Sequence, residues 1–334
     1  MKVVYTTPKV FAGWSLPGLQ ANLPGGYEFK TAVYDPDDPV NAAFYAELAD
    51  ADAVMNIYVY LGKKELDAMK KCKVVSFCCT GYNEIDLDYA TKKGITVASV
   101  EEYCSPETAE NAIANMMALQ RGSFIYNEAI HKDHNWDVTL VSKQERIEGQ
   151  TIGIVGLGRI GRHVARIAGK GLGMRVIAYD PFLPEEVAKA AGAELVDFDT
   201  LLSESDVVSI HMNLTDENVH MFNKETFKKM KKCPILVNEG RGPMVSEADL
   251  AWALDEGLVK AAALDMLETE MPSPEYLANC PLVGRKNVIL NPHSGAESKT
   301  AARLLQETCA KNAVCCIEGR HKEATIVRNG IGLD

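Results

Sequence analysis

The chain has 334 residues, room for about two domains of ~150 residues each. Hydrophobic residues make up 47% and charged residues 24%, which suits a sizeable core beneath a solvated surface. A net charge of −11 excludes neither small anions nor a local arginine that holds them, but it speaks against a nucleic-acid backbone or an anionic membrane as partner.

The opening stretch MKVVYTTPKVFAGW lacks the apolar run of a secretory signal, and no segment approaches the ~20 apolar residues of a membrane span. Nine cysteines, an odd number with no C-x-x-C pair, do not read as a disulfide framework or a zinc site. No metal is expected, and a reducing cytoplasm is the expected compartment.

The runs KVVY, ADAVMNIYV, VVSFCC and ITVASV are rich in valine and isoleucine and predict buried parallel strands. NAAFYAELAD and KKELDAMKKC between them have helical spacing, so residues 1–104 read as one small α/β unit. SPETAENAIANMMALQRGSFIYNEAIHKD then predicts one long helix, with Ser105 as N-cap, Pro106 at the first helical position, and Thr108 and Glu110 in the first turn. A loop containing Trp136 leads to a second series of strands: TIGIVG, MRVIAYD, VVSIHM, PILVNEG, AAALDML and NVILNPH. The last helix, KTAARLLQETCAKNAVCCIEG, is expected to pack back on the first unit. That divides the chain into residues 1–104 with 297–334, and residues 105–296.

Within Thr151–Pro181 the glycines Gly156, Gly158 and Gly161 fall between a strand and a helix, and Asp180 ends the next strand. A bare G-x-G-x-x-G is a weak signal; the strand, the helix and the acid strengthen it. The first glycine allows the turn, the second lets a pyrophosphate approach the backbone, and the third lets helix pack on strand. Gly156, Gly158, Arg159, Ile160 and Gly161 are therefore candidate cofactor contacts at a helix N-terminus. Asp180 is placed to accept from both ribose hydroxyls and would repel a 2′-phosphate. The following PFLPEE has no arginine or lysine to receive one, so NAD is expected rather than NADP.

Three later pieces, VNEGRGPMVSEADL, ALDMLETEMP and LNPHSGAESKT, lie at the carboxyl ends of strands, where α/β sheets bind ligands. They offer Arg241, Asp265, Glu270 and His293. Singly, each would more often be structural or solvated; their order and spacing reverse those odds. His131 and His134 in HKDH read as solvated surface, and the other six histidines have no setting comparable to that of His293.

These motifs resemble the D-isomer-specific 2-hydroxyacid dehydrogenases. In that family a strand ends in asparagine before Arg-Gly, an Asp-Val has Glu-Pro downstream, and Pro-His follows in a further loop. The resemblance covers nearly the whole chain, including TGYNEIDLDYATKKGITV (Thr80–Val97) and YCSPETAEN (Tyr103–Asn111). It implies an α/β fold of two Rossmann-like doubly wound parallel-sheet domains with a cleft between them. Residues 1–104 with 297–334 would bind substrate, and residues 105–296 would bind NAD. The implied reaction is the reversible, NADH-dependent reduction of a 2-oxo acid to the (R)-2-hydroxy acid.

In that reading His293 gives the proton, because imidazole titrates near working pH. Glu270 orients the ring and favours imidazolium. Arg241 holds the substrate carboxylate by two parallel bonds and polarises the carbonyl. Asp265 receives the nicotinamide carboxamide, and His211, Asn213, Thr215, Glu239, Gly240 and His293 line the cofactor, though for His211 a structural role weighs equally. Gly81 and Tyr82 complete the carboxylate site, with Tyr103 nearby. Tyr58 or Tyr60 lies near the substrate's variable group, with core packing an equal alternative. The family also implies a homodimer supported by the helix from Ser105.

Four departures from the family pattern stand out. Asn213 replaces a usual proline. Glu239-Gly240 precede Arg241, where small Thr, Ser or Ala is usual. Met271 interrupts Glu-Pro, and AGKGLG (Ala168–Gly173) is one residue longer. None removes a catalytic side chain. The motifs look most like the glyoxylate/hydroxypyruvate reductase and D-lactate dehydrogenase branches, and the absence of a C-terminal regulatory domain disfavours a serine-sensing phosphoglycerate dehydrogenase. The alternative is an NAD-sensing corepressor or scaffold of the same fold; the lack of long disordered flanks favours an enzyme.

Overall fold

The structure is a computed structural model that describes residues 1–13 and 16–333, and the chain divides into two compact units. The first comprises Met1–Tyr103 and Ser298–Asp334, the second Cys104–Glu297.

The first unit holds five parallel strands: β1 (Lys2–Pro8), β2 (Glu28–Tyr34), β3 (Ala53–Asn56), β4 (Val74–Phe77) and β5 (Thr96–Ser99). Their order is β2-β1-β3-β4-β5, a doubly wound arrangement whose switch point lies between β1 and β3. Every residue of β3, β4 and β5 is buried, as continuous apolar runs demand when both sheet faces are covered. The predicted strands do not include β2. It is an edge strand with only Ala32 buried, so EFKTAVY lacks the apolar run of a central strand.

Phe44, Leu48 and Leu66 cover one face of this sheet, from the helices Ala42–Ala49 and Lys63–Ala68. The final helix, Lys299–Ile317, packs on the other face through Leu305, Cys309, Ala313 and Cys316. Its Asn312 is fully buried; the side chain donates to the Ser99 carbonyl (3.1 Å) and accepts from the Thr325 amide (2.8 Å). That clamp carries the C-terminal segment to β5, where Val327 bridges Ala98 antiparallel.

The second unit holds seven parallel strands: β6 (Thr151–Val155), β7 (Arg175–Tyr179), β8 (Glu194–Leu195), β9 (Val207–Ile210), β10 (Ile235–Asn238), β11 (Ala261–Leu264) and β12 (Val288–Leu290). The order β12-β11-β10-β9-β6-β7-β8 is the dinucleotide-binding order with one strand added beyond it. The order reverses between β6 and β9, so a crevice opens past their carboxyl ends. The two-residue β8 is too short to leave a sequence pattern and is absent from the predicted strands.

Two local expectations are corrected. The predicted single helix from Ser105 is two helices, Ser105–Arg121 and Ser123–Asp133, broken at Gly122. Gly122 has φ +60°, the left-handed conformation that ends helices. Nor is Ser105 the N-cap: the helix starts at Ser105, and Cys104 occupies the cap. The stretch AGKGLG contains a change of helical form. The helix Arg159–Arg166 runs into a π-helical turn, Ile167–Gly171, the form in which helices absorb an additional residue.

Replacing Asn312 by Leu strands the Ser99 carbonyl and the Thr325 amide, each at a cost of about 1–3 kcal/mol. The urea midpoint should fall accordingly. An unchanged midpoint would mean that the clamp does not stabilise the unit.

Candidate active site

The glycine loop follows β6. Gly156 has φ +91°, and a Cβ there would lie 2.8 Å from the Met212 amide nitrogen, so the turn grazes the loop after β9. A Cβ on Gly161 would lie 2.2 Å from the Gly156 carbonyl oxygen, which keeps the helix close to its strand. Gly158 differs: a Cβ there would meet nothing within 4 Å. The open space beside this backbone, at the start of the Arg159–Arg166 helix, fits the pyrophosphate of a dinucleotide. Asp180, at the end of β7, accepts from the Leu157 amide (3.0 Å) and the Phe182 amide (3.1 Å), so its carboxylate is fixed against the same loop.

The wall after β9 carries His211, Asn213 and Thr215. The His211 ring nitrogen Nε2 bonds Ser209 Oγ at 2.8 Å, and burial pushes the imidazole down to about 3, so it is neutral. Asn213 and Thr215 are exposed; Asn213 accepts through its carbonyl from Asn218.

Beyond β10, Asn238 sets the next turn. Its amide accepts from the Gly240 N–H (3.0 Å) and donates to the Arg241 carbonyl (3.0 Å). Gly242 is then forced to be glycine, since a Cβ would lie 1.7 Å from the Leu267 carbonyl oxygen. The backbone after β10 is thereby pressed against the loop after β11. Arg241 turns one guanidinium N–H to the Gly240 carbonyl (2.8 Å).

Asp265 follows β11 and is 2% exposed. Its carboxylate accepts from the Ser294 amide (2.9 Å) and the Gly295 amide (3.0 Å), and its carbonyl from the His293 amide (2.6 Å). Asp265 thus anchors the loop that carries His293. His293 has φ +51°, a left-handed conformation that costs a side-chain-bearing residue about 1–2 kcal/mol. Its Nδ1 is bonded to Glu270 Oε1. Burial raises the Glu270 carboxyl, but the His293 bond and the charges of His293 and Arg241 outweigh it and hold the acid below its usual range. The second unit therefore brings Arg241, Glu270 and His293 together.

Glu239 is an unexpected occupant. It is 4% exposed, and Asn111 donates to both its carboxylate oxygens (3.0 and 3.2 Å). Asn115 donates to one of them (3.4 Å) and also reaches Asn291. Burial, then the neighbouring charge of Asp265, pushes Glu239 up to about 8, against the Asn111 and Asn115 bonds. Sequence reasoning missed Asn111 and Asn115. Their spacing of four, which puts two amides on one face of the Ser105–Arg121 helix, is the signal that could have found them.

Tyr58, Gly81, Tyr82 and Tyr103 belong to the first unit. Tyr58 has φ +55° and sits partly buried, 5.3 Å ring to ring from Phe11, whereas Tyr60 is exposed. Tyr103 packs on the same cluster. Gly81 accepts from Cys79 Sγ, and Tyr82 lies under the Arg328 guanidinium at 4.7 Å. Arg328, another residue missed in sequence, also bonds Ser99 Oγ at 2.8 Å. The expectation that no other histidine resembles His293 needs correction as well: His220 Nε2 lies 3.1 Å from Glu268 Oε2.

Residues 113–295 match the family described as D-isomer specific 2-hydroxyacid dehydrogenase, NAD binding domain. The chain is 35% identical to a glyoxylate reductase of Thermococcus litoralis, over 93% of this chain and 94% of the relative. It is 31% identical to a hydroxypyruvate reductase of Blautia hydrogenotrophica, over 85% of this chain and 86% of the relative. Among solved structures, a D-lactate dehydrogenase from Aquifex aeolicus, complexed with NAD and lactic acid, is similar at a TM-score of 0.80 and 26% identity, covering 98% of this chain and 99% of that one.

Proposed function

We propose, from the premise that this chain belongs to the D-isomer-specific 2-hydroxyacid dehydrogenase family, that it reduces a small 2-oxo acid to the (R)-2-hydroxy acid with NADH, reversibly. The observation that carries this reading is the His293–Glu270 pair with the Arg241 charge beside it.

The bound cofactor supplies a hydride to the substrate's carbonyl carbon. Arg241 clamps the substrate carboxylate and polarises the carbonyl. With Nδ1 held by Glu270, the His293 nitrogen left to deliver a proton to the new alkoxide is Nε2. Glu270 stays ionised at neutral pH, and its carboxylate holds the ring in place. In oxidation His293 takes the proton back.

Gly156, Gly158, Arg159, Ile160, Gly161 and Asp180 form the adenosine and pyrophosphate side of the cofactor site in this reading. His211, Asn213, Thr215, Glu239, Gly240, Asp265 and His293 form its nicotinamide side. Tyr58, Gly81, Tyr82 and Tyr103 join Arg241 as the substrate set. The first unit then binds substrate, and the second binds NAD. The glyoxylate and hydroxypyruvate reductases among the relatives support a small substituent on the oxo acid.

We also assign a homodimer and a cytoplasmic location. The helix Ser123–Asp133 has no buried residue, and Trp136 (86% exposed) and Val138 (82%) follow it, an apolar strip suited to a second copy. Cys72, Cys78, Cys280, Cys309, Cys315 and Cys316 are buried thiols, which suits a reducing compartment.

NADH oxidation with glyoxylate, hydroxypyruvate, pyruvate, phenylpyruvate and 2-oxoisocaproate tests the reaction. The small acids should turn over fastest, and NADPH should serve at least tenfold worse, a gap of ~1.4 kcal/mol set by Asp180. Silence with every acid would refute the reading.

Glu270→Gln removes the negative partner of His293 and keeps a hydrogen bond. The alkaline limb of reduction should move towards acid, and the acid limb of oxidation should move with it. His293→Ala should cost about 10²–10⁴-fold in kcat. If the reduction limb stays in place in Glu270→Gln, Glu270 does not tune the proton donor.

Light scattering on Trp136→Glu checks the assembly. The parent should show twice the chain mass and the variant the mass of one chain. A parent of single-chain mass would end the dimer assignment.

A further inference from the structure

Glu239 and Asp265 are two buried acids turned to one point. A Cβ built on Gly295 would lie 2.7 Å from Glu239 Oε2 and 2.8 Å from Asp265 Oδ2. Among the described residues, no lysine or arginine is ion-paired to either carboxylate. The groups around them are the Asn111 and Asn115 amides from the Ser105–Arg121 helix and the Ser294 and Gly295 amides from the loop after β12. The charged residues of the adjoining loops are engaged elsewhere: Arg241 turns to the Gly240 carbonyl, and His293 is bonded to Glu270. His211, in the loop after β9, is neutral. Ionising two buried acids that face one point, with no cation paired to either, is costly.

We propose that Glu239, facing Asp265, carries a proton in the free protein, and that this proton is released when the oxidised cofactor binds but not when the reduced one does. The inference rests on the reading that gives Asp265 to the nicotinamide. The oxidised ring carries a positive charge and supplies the missing cation; the dihydronicotinamide is neutral and does not. The balance is simple: protonated pair plus NAD⁺ gives ionised pair with NAD⁺ bound, plus one proton to solvent. Backbone amides already serve Asp265, so the proton resides on Glu239, whose carboxyl burial pushes up to about 8. Small residues are usual in the family at this position, so Glu239 makes this chain's preference between NAD⁺ and NADH depend on pH where a threonine or alanine would not. NAD⁺ should bind more tightly as pH rises towards 8, by up to tenfold per pH unit, while NADH affinity stays nearly flat.

Titration calorimetry in two buffers of different ionisation heat, at pH 7, reads the proton directly. NAD⁺ should release close to one proton per site in the parent and markedly fewer in Glu239→Gln. Equal release in parent and variant would assign the proton to another group and overturn the proposal, as would no release in the parent. A parent that fails to bind NADH overturns the cofactor reading, and this inference with it. NADH binding without proton release on NAD⁺ overturns this inference alone. The unliganded protein gives a second readout that needs no cofactor. Folded Glu239 keeps its proton up to about pH 8, while an unfolded glutamate loses it near ~4.3. The urea midpoint should therefore fall as pH rises through that window, and less steeply in Glu239→Gln or Glu239→Thr. Parallel profiles would count against the proton on Glu239.

Discussion

The site depends on how Asp265 ties three strand ends together. Its backbone N–H pairs with the Asn238 carbonyl, extending the β10–β11 ladder by one residue. Its carbonyl and carboxylate then bind the loop after β12, at His293, Ser294 and Gly295. One residue thus sets the distance between the loop bearing Arg241 and the loop bearing His293. It also holds His293 in a left-handed conformation that an unsupported histidine would leave. Strain at His293 is stable because a buried acid over-determines the backbone around it.

Close backbone approaches do the rest of the positioning. Gly156, Gly161 and Gly242 each sit where a Cβ would enter a neighbouring backbone, so the turns after β6 and β10 are fixed by contact as well as by side-chain bonds. Gly158, by contrast, faces open space. Of the glycines in the loop motif, it is the one whose missing side chain leaves room for a ligand instead of for the protein itself. Four glycines of one type therefore do two different jobs, and only the surroundings distinguish them.

The sequence made most of the second unit legible. Its strands β6, β9, β10 and β11 are central and buried throughout, so apolar runs reveal them, and the proposed catalytic residues follow strand ends. What stayed hidden has physical reasons. β2 is an exposed edge strand, and β8 is two residues long, so neither carries the central-strand pattern. Gly122 reads as one weak helix former in a long helical run, and only its positive φ reveals the break. The Glu239 network joins residues 111, 115, 239 and 291, far apart in sequence, and no local pattern announces such a cluster. Glu239 was visible as a departure beside Arg241; that it is buried against a second acid was not.

A histidine bonded to a glutamate does not by itself make an acid catalyst, and this chain contains the comparison. His220 and Glu268 form such a pair, and His220 also has a left-handed backbone. Glu268, however, is committed to the Glu247–Asp255 helix: each of Glu247 and Glu268 accepts the other's backbone N–H, at 2.6 and 2.7 Å. The pair closes a helix end, and almost half of the His220 side chain is in solvent, where its interaction is screened. Glu270 has no such helix to cap; the positive groups acting on it are His293 and Arg241. In the proposed reaction such an acid can polarise His293 while Arg241 holds the substrate. The catalytic role proposed for the His293–Glu270 contact thus rests on Arg241 beside it, the feature that the His220–Glu268 pair lacks.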